Sequence, residues 1–227
     1  VGRYPYNFTP PAAAFPNIGG TVTLTADPYY RYTTLLLPGN GTNGAQNNTF
    51  LDSSTNAFTI TRNGNTTQGN FSPFSQTGWG NYFDGTNSKV TMASSATMSF
   101  TGTFTIECWV YWTGTTTLYQ NFIGSNNTFT SNASFFRVWG SGAMGAGTVG
   151  IGNPTHDAAS SVYAANALQA NQWTHVAATR DSSNIIRVFI NGTLRATGSA
   201  DTSTYDFGQG GTCIGDSPWD GANGWYS

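Results

Sequence analysis

An all-β fold of many short antiparallel strands is what this 227-residue sequence predicts, and three observations carry the prediction. Apolar and polar residues alternate at period two through most of the chain. No stretch longer than about ten residues holds the i, i+3, i+4, i+7 stripe of an amphipathic helix. Turn residues recur at roughly ten-residue spacing, which suits a sandwich or a barrel. Hydrophobic residues make up 38% and aromatic residues 15% of the chain, too many for a disordered one.

The N-terminal stretch VGRYPYNFTPPAAAFPNIGG holds four of the nine prolines and no alternation, so residues 1–26 read as an extended arm. Its Tyr4, Tyr6, Phe8 and Phe15 are too apolar to face water, and the arm is expected to lie on a neighbouring subunit or a partner protein. Short strands are predicted at Thr21–Thr25, Thr33–Leu37, Ala57–Arg62, Tyr82–Phe83 and Lys89–Ala93. The series goes on with Phe104–Trp112, Asn121–Ile123, Phe135–Trp139, Val149–Ile151, Ser160–Ala165, Thr174–Arg180, Ile185–Ile190, Leu194–Thr197 and Thr212–Gly215. Only Ala158–Gln169, for its alanines, admits a helix as the competing reading. The sharpest element is Ile185–Ile190 followed by Asn191-Gly192 and Thr193–Ala196, because Asn-Gly between alternating runs signals a type I′ hairpin. The turn residues Asp181 to Asn184 join Thr174–Arg180 to the same hairpin, so three strands form a meander.

Charge narrows the function. Only 8% of the residues are charged and the net charge is −2, against roughly 25% charged residues in an ordinary soluble domain, which excludes a basic nucleic-acid face. No apolar run approaches the roughly 18 residues that a membrane-spanning helix needs, so no membrane insertion is expected. The chain opens at Val1 with neither an initiator Met nor a signal peptide, so an upstream segment is expected to have been removed or left out. Cys108 and Cys213 could make at most one bridge; each sits in an apolar run and reads as a buried free thiol.

Several motifs follow one another in a set order. They are Tyr82-Phe83-Asp84-Gly85, Phe104-Thr105-Ile106-Glu107-Cys108-Trp109-Val110, Gln172-Trp173-Thr174-His175-Val176-Ala177 with Thr179-Arg180-Asp181, Val188-Phe189-Ile190-Asn191-Gly192-Thr193-Leu194, and Ile214-Gly215. From Asp27 onward the chain resembles the laminin-G-like, concanavalin A-like lectin jelly-roll domains found in structural proteins of marine and cyanobacterial phages and in secreted bacterial proteins. The stretches Thr34–Gly44, Phe50–Ser54 and Thr59–Asn65 resemble the opening of that domain in phage appendage and head-associated proteins. The resemblance implies an antiparallel jelly-roll sandwich of two sheets over residues 27–227. It also implies a last strand of the type G-x-I-D-D-V-R-I, which should begin where the sequence stops at Trp225-Tyr226-Ser227, so either the protein is expected to continue or another segment to supply that strand.

Glycoside hydrolysis needs two carboxylates facing one bond, and Glu107 is the single Glu, with nothing like the hydrolase relatives' E-x-D-x-x-E strand. Period two puts Glu107 beside Thr105, Trp109 and Tyr111, and Phe104, Ile106, Cys108 and Val110 on the opposite face. With His156 in a loop and His175 alternating with apolar neighbours, no Ser-His-Asp arrangement is visible, so no enzyme is expected. Exposed aromatics that stack on sugar rings, beside groups that bond hydroxyls, are expected among Tyr119, Trp139, His156, Asp157, Trp219 and Trp225; Trp109, Trp112 and Trp173 read as packing. Calcium is a candidate ligand of Asp216 and Asp220 in a Gly/Pro loop, while Asp84 reads as an Asp-Gly turn.

The resemblance therefore implies a non-enzymatic virion protein at the particle surface, a tail or head fibre or decoration module touching host-surface polysaccharide. It would be present in many copies or as a homo-oligomer, bound to other virion proteins through the arm. A cement or connector without glycan binding, and a secreted bacterial lectin-like adhesion module, are the alternatives.

Overall fold

The computed structural model describes residues 27–39, 50–74, 80–85, 88–114, 119–125, 134–141, 144–153 and 161–215. The chain divides into two units, Val1–Tyr32 and Thr33–Ser227. The described part of the first holds a 3-10 turn at Tyr30–Tyr32. No helix among the described residues is long and apolar enough to cross a membrane.

The second unit is a two-sheet β structure. One sheet runs in the order β1 (Ile60–Asn63), β4 (Lys89–Met92), β15 (Thr212–Ile214), β7 (Tyr119–Ser125), β8 (Phe135–Trp139), β9 (Thr148–Gly152), β10 (Val162–Ala164). The other is β13 (Thr193–Ala200), β12 (Ile185–Ile190), β11 (Gln172–Arg180), β6 (Phe104–Trp112). Two ribbons flank them, β2 (Thr67–Gly69) with β3 (Gly80–Tyr82), and β5 (Ser99–Phe100) with β14 (Tyr205–Asp206). Every described strand pair is antiparallel, as the jelly-roll reading requires.

The core lies between the sheets. Val90, Met92, Phe136, Val138, Val149 and Ile151 of the seven-stranded sheet share one buried cluster with Val110, Trp112, Val176, Ala178, Ile186 and Val188 of the four-stranded one. Alternation explains the choice of side chains, because even positions of β6, β11 and β12 face inward and odd ones outward. A polar bridge crosses this core: Trp112 Nε1 donates to Gln120 Oε1 at 2.8 Å, joining β6 to β7.

The meander forms as expected. Asn191 and Gly192 take φ of +49° and +73°, the pair of positive values that a type I′ turn needs. Before β12, Asp181 Oδ1 accepts from Ser183 N at 2.8 Å and Ile185 N at 3.0 Å, while Arg187 donates to Oδ2. The Arg187 hydrogen bond, followed by that from Ile185, holds the Asp181 carboxyl below the usual carboxylate range.

Two expectations need correction. Residues 161–169 form β10 and turns, so the helical alternative for Ala158–Gln169 fails within the described part of that stretch. Thr33–Leu37 buries apolar side chains, with Leu35 and Leu37 packed on the core, but it is no strand. Its backbone is satisfied by a side chain: Asp52 accepts from Leu36 N at 3.0 Å, and also from Ser54 N, Ser54 Oγ and Phe58 N. The strand predicted at Thr21–Thr25 lies outside the described residues.

Both cysteines are free thiols, Cys213 buried in β15 and Cys108 partly buried in β6. Burial, reinforced by the Glu107 carboxylate, pushes the Cys108 thiol up to about 12. Since the thiolate is the nucleophile, alkylation of Cys108 in the folded protein at pH 8 is expected to run more than about a hundredfold slower than in the denatured chain. Equal labelling of both forms, read by mass spectrometry, would contradict this.

Candidate functional site

β8 is buried on both faces, and that is where the outer surface of the seven-stranded sheet becomes unusual. Phe136 and Val138 turn into the core, so Phe135, Arg137 and Trp139 point the other way, to the face where polar residues would ordinarily meet water. Register completes the group. On β7, Tyr119 stands opposite Trp139 and Asn121 opposite Arg137; on β9, Gly150 stands opposite Arg137 and Gly152 opposite Phe135; on β10, Tyr163 stands opposite Gly150.

The guanidinium of Arg137 sits among three rings, its Cζ 3.7 Å from the Phe135 centroid, 4.1 Å from that of Tyr119 and 4.7 Å from that of Trp139. A cation over aromatic faces is attracted by their quadrupoles, more strongly when water is excluded, and this one fixes the orientation of all three rings. Trp139 makes edge contacts with Tyr119 at 6.2 Å, Phe135 at 6.1 Å and Tyr163 at 6.5 Å. Phe135, Arg137 and Trp139 are buried, Tyr119 is half-buried, and Tyr163 is 39% exposed. Asn121 keeps a buried Oδ1 with no hydrogen-bond partner among the described residues. The glycines make the room: a Cβ on Gly150 would meet Trp139 Cζ3 at 2.8 Å and Tyr163 Cβ at 2.9 Å.

The structure thus brings together two residues singled out from the sequence, Tyr119 and Trp139. His156, Asp157, Trp219, Trp225, Asp216 and Asp220 lie outside the described residues. No three His, Cys, Asp or Glu side chains converge among the described residues. Asp84 accepts from Asn65 Nδ2 at 3.0 Å beside Gly85 at φ +73°, which suits its reading as a turn residue. Sequence reasoning missed Phe135, Arg137 and Tyr163, although the alternation Phe135, Arg137, Trp139 was visible within a single predicted strand. It also counted Trp109 as packing; Trp112 is core, but Trp109 is 42% exposed on the outer face of the four-stranded sheet. Glu107 Oε2 stands 3.5 Å from His175 Nε2 on that face, and neither side chain hydrogen-bonds a serine, a cysteine or a second carboxylate among the described residues.

A laminin-G family model, described as concanavalin A-like lectin/glucanases superfamily, matches residues 84–226. The chain belongs to that superfamily. Among solved structures it is similar to domain 4 of AbnA, an extracellular arabinanase of Geobacillus stearothermophilus, in complex with arabinotriose. The TM-score is 0.53 and the identity 19%, over 77% of this chain and 82% of that one. It is also similar to the binding domain of botulinum neurotoxin serotype C1, with TM-score 0.52, 16% identity and 79% of this chain covered, but it spans only 42% of that structure. A further botulinum neurotoxin type C structure, described with cell entry dependent upon interaction with two ganglioside molecules, gives TM-score 0.52, 15% identity, and coverage of 79% of this chain and 41% of that one. At these identities the likeness is one of fold. No curated protein matches the chain in sequence.

Proposed function

We propose that this chain is a non-enzymatic glycan-binding module whose contact surface is the Tyr119–Trp139–Tyr163 cluster on the outer face of the seven-stranded sheet. The observation that carries the reading is the position of the cluster. Rings packed around an arginine on the side of the sheet away from the core add nothing to the core, whereas partly exposed tyrosines with an apolar face and a hydroxyl suit a sugar ring. Domain 4 of AbnA, with the same fold, holds an arabinotriose, which supports the reading. The described residues of the cluster offer tyrosine hydroxyls, an amide and a guanidinium but no pair of carboxylates of the kind glycoside hydrolysis uses, so we read the cluster as a binding surface. The setting we propose is the surface of a phage particle, with host-surface polysaccharide as the partner and other virion proteins at the arm. That setting rests on the sequence resemblance of Thr34–Gly44, Phe50–Ser54 and Thr59–Asn65 alone.

Titration of the chain with bacterial surface polysaccharides, with and without a calcium chelator, tests this. Tyr163→Ala is expected to weaken binding by about tenfold, the loss of one stacking contact of roughly 1 to 2 kcal/mol, without lowering the melting temperature. Binding that Tyr163→Ala and Tyr119→Ala both leave intact would remove the cluster from the site. A chelator effect would direct mutagenesis to Asp216 and Asp220.

A further inference from the structure

The outer face of the four-stranded sheet carries its own constellation. In the register of β6 and β11, Trp109 stands opposite His175, Tyr111 opposite Trp173 and Glu107 opposite Ala177. Trp109 is 42% exposed, and its ring lies 5.3 Å from the His175 ring, centroid to centroid, and 5.6 Å from that of Phe74. Phe71 packs on Tyr111 at 4.8 Å and on Trp173 at 5.3 Å. Phe71 and Phe74 remain 61% and 57% exposed, so Phe74 walls one side of the open Trp109 indole while Phe71 extends the aromatic surface over Tyr111 and Trp173. Glu107 stands beside it with a side chain 60% exposed, next to the small Ala177, its Oε2 3.5 Å from His175 Nε2.

We infer that this face is a second carbohydrate contact, for a neutral pyranose, centred on Trp109 and separate from the Tyr119–Tyr163 cluster. An exposed patch of several large aromatics marks a contact surface, and its composition says which kind. A wholly apolar partner would strip water from the Glu107 carboxylate and leave it unpaired, which is costly. The ligand must therefore present a C–H face to the indole and hydroxyl donors to the carboxylate at the same time, and a pyranose does both. A sugar carrying a carboxylate or a sulfate is repelled by Glu107. A strongly cationic partner finds one carboxylate oxygen already beside the His175 imidazole, leaving Oε1 to accept a hydroxyl. This face shares no residue with the proposed site on the seven-stranded sheet. If both sites operate, one monomer holds two glycan chains on different sheets.

The test uses the full chain and four probes: dextran, mannan, alginate and an oligolysine peptide, followed by calorimetry and tryptophan fluorescence. Dextran or mannan is expected to perturb the fluorescence of the parent protein. Trp109→Ala and the isosteric Glu107→Gln are each expected to lower that affinity by about tenfold or more, the signature of residues at the centre of a contact. Gly102→Ala, where an added methyl meets nothing within 4 Å, is expected to leave it unchanged, and a loss confined to the Trp109 and Glu107 variants separates this face from the Tyr119–Tyr163 cluster. Four outcomes overturn the inference: no binding of either neutral polysaccharide, equal binding by parent and both variants, binding of alginate or oligolysine alone, or a change of sedimentation on Trp109→Ala, which would make the face an interface between copies.

Discussion

Arg180→Lys is expected to melt about 10 °C below the parent protein, the consequence of losing roughly 3 to 5 kcal/mol in a chain of this size. Arg180 is 2% exposed, at the inward-facing end of β11. Its guanidinium donates to four backbone carbonyls: Nε to Gly102 O at 2.6 Å, Nη2 to Phe100 O at 2.9 Å, and Nη1 to Ser203 O at 2.6 Å and Asp201 O at 3.4 Å. Those carbonyls belong to the segment from β5 into β6 and to the link from β13 to β14. One side chain therefore fastens both ends of the small ribbon to the sandwich. The Phe104 and Tyr205 rings flank it, centroids 5.1 and 5.4 Å from Cζ. Burial lowers its pKa from the ordinary guanidinium value, a direction that reflects how much water the group has given up.

Lysine keeps the charge but offers one ammonium where three nitrogens are spread over a planar fork, so it cannot reach carbonyls on two segments at once. Buried carbonyls left without a donor cost more than the net worth of the bonds, which is why a conservative replacement is expected to be severe. Arg180→Met, which removes the charge and leaves the same orphaned carbonyls, separates the two contributions. A shift of less than about 3 °C for both variants in a thermal melt would show that the ribbon is not held by this residue.

Legibility followed periodicity. β6, β8 and β12 begin and end where the sequence predicted, because each is a run of at least five residues rich in β-branched and aromatic side chains with a turn or glycine beside it. β2, β5 and β14 were not foreseen; at two or three residues they carry no period, and their pairing comes from long-range contacts. Thr33–Leu37 shows the converse, an apolar run whose partner is the Asp52 carboxylate and not a strand. For the binding cluster, residue type pointed to Tyr119 and Trp139, but the register that sets them opposite each other crosses a twenty-residue separation, which local pattern does not encode. Arg137 was invisible for a related reason: within Phe135–Trp139 it looks like a break in an apolar strand, and only the three rings around it give it a role. Trp109 was misread because its place in a strand of the family pattern was equated with packing. The alternation that placed it with Glu107 and Thr105 had already put it on the polar face.

Gly150→Ala is expected to weaken glycan binding at the seven-stranded sheet by about a hundredfold while the fold survives. The added methyl would meet Trp139 Cζ3 at 2.8 Å, Trp139 Cη2 at 3.0 Å and Tyr163 Cβ at 2.9 Å. Something must move, and Trp139 has little freedom, since Tyr119, Phe135 and Arg137 hold it from other sides. Tyr163 is the partner with room to give, being 39% exposed, and its displacement removes the open rim of the cluster. Overpacking of this kind costs about 1 to 3 kcal/mol of stability, well short of unfolding, but the shift reaches the rings a sugar would touch, so a loss of about a hundredfold in affinity is expected. Gly102→Ala, where a methyl meets nothing within 4 Å, supplies the neutral control. If Gly150→Ala binds glycan as the parent does, the rings over β9 are a packing device for Arg137. The sugar contact would then belong to the Trp109 face, whose variants respond independently of β9.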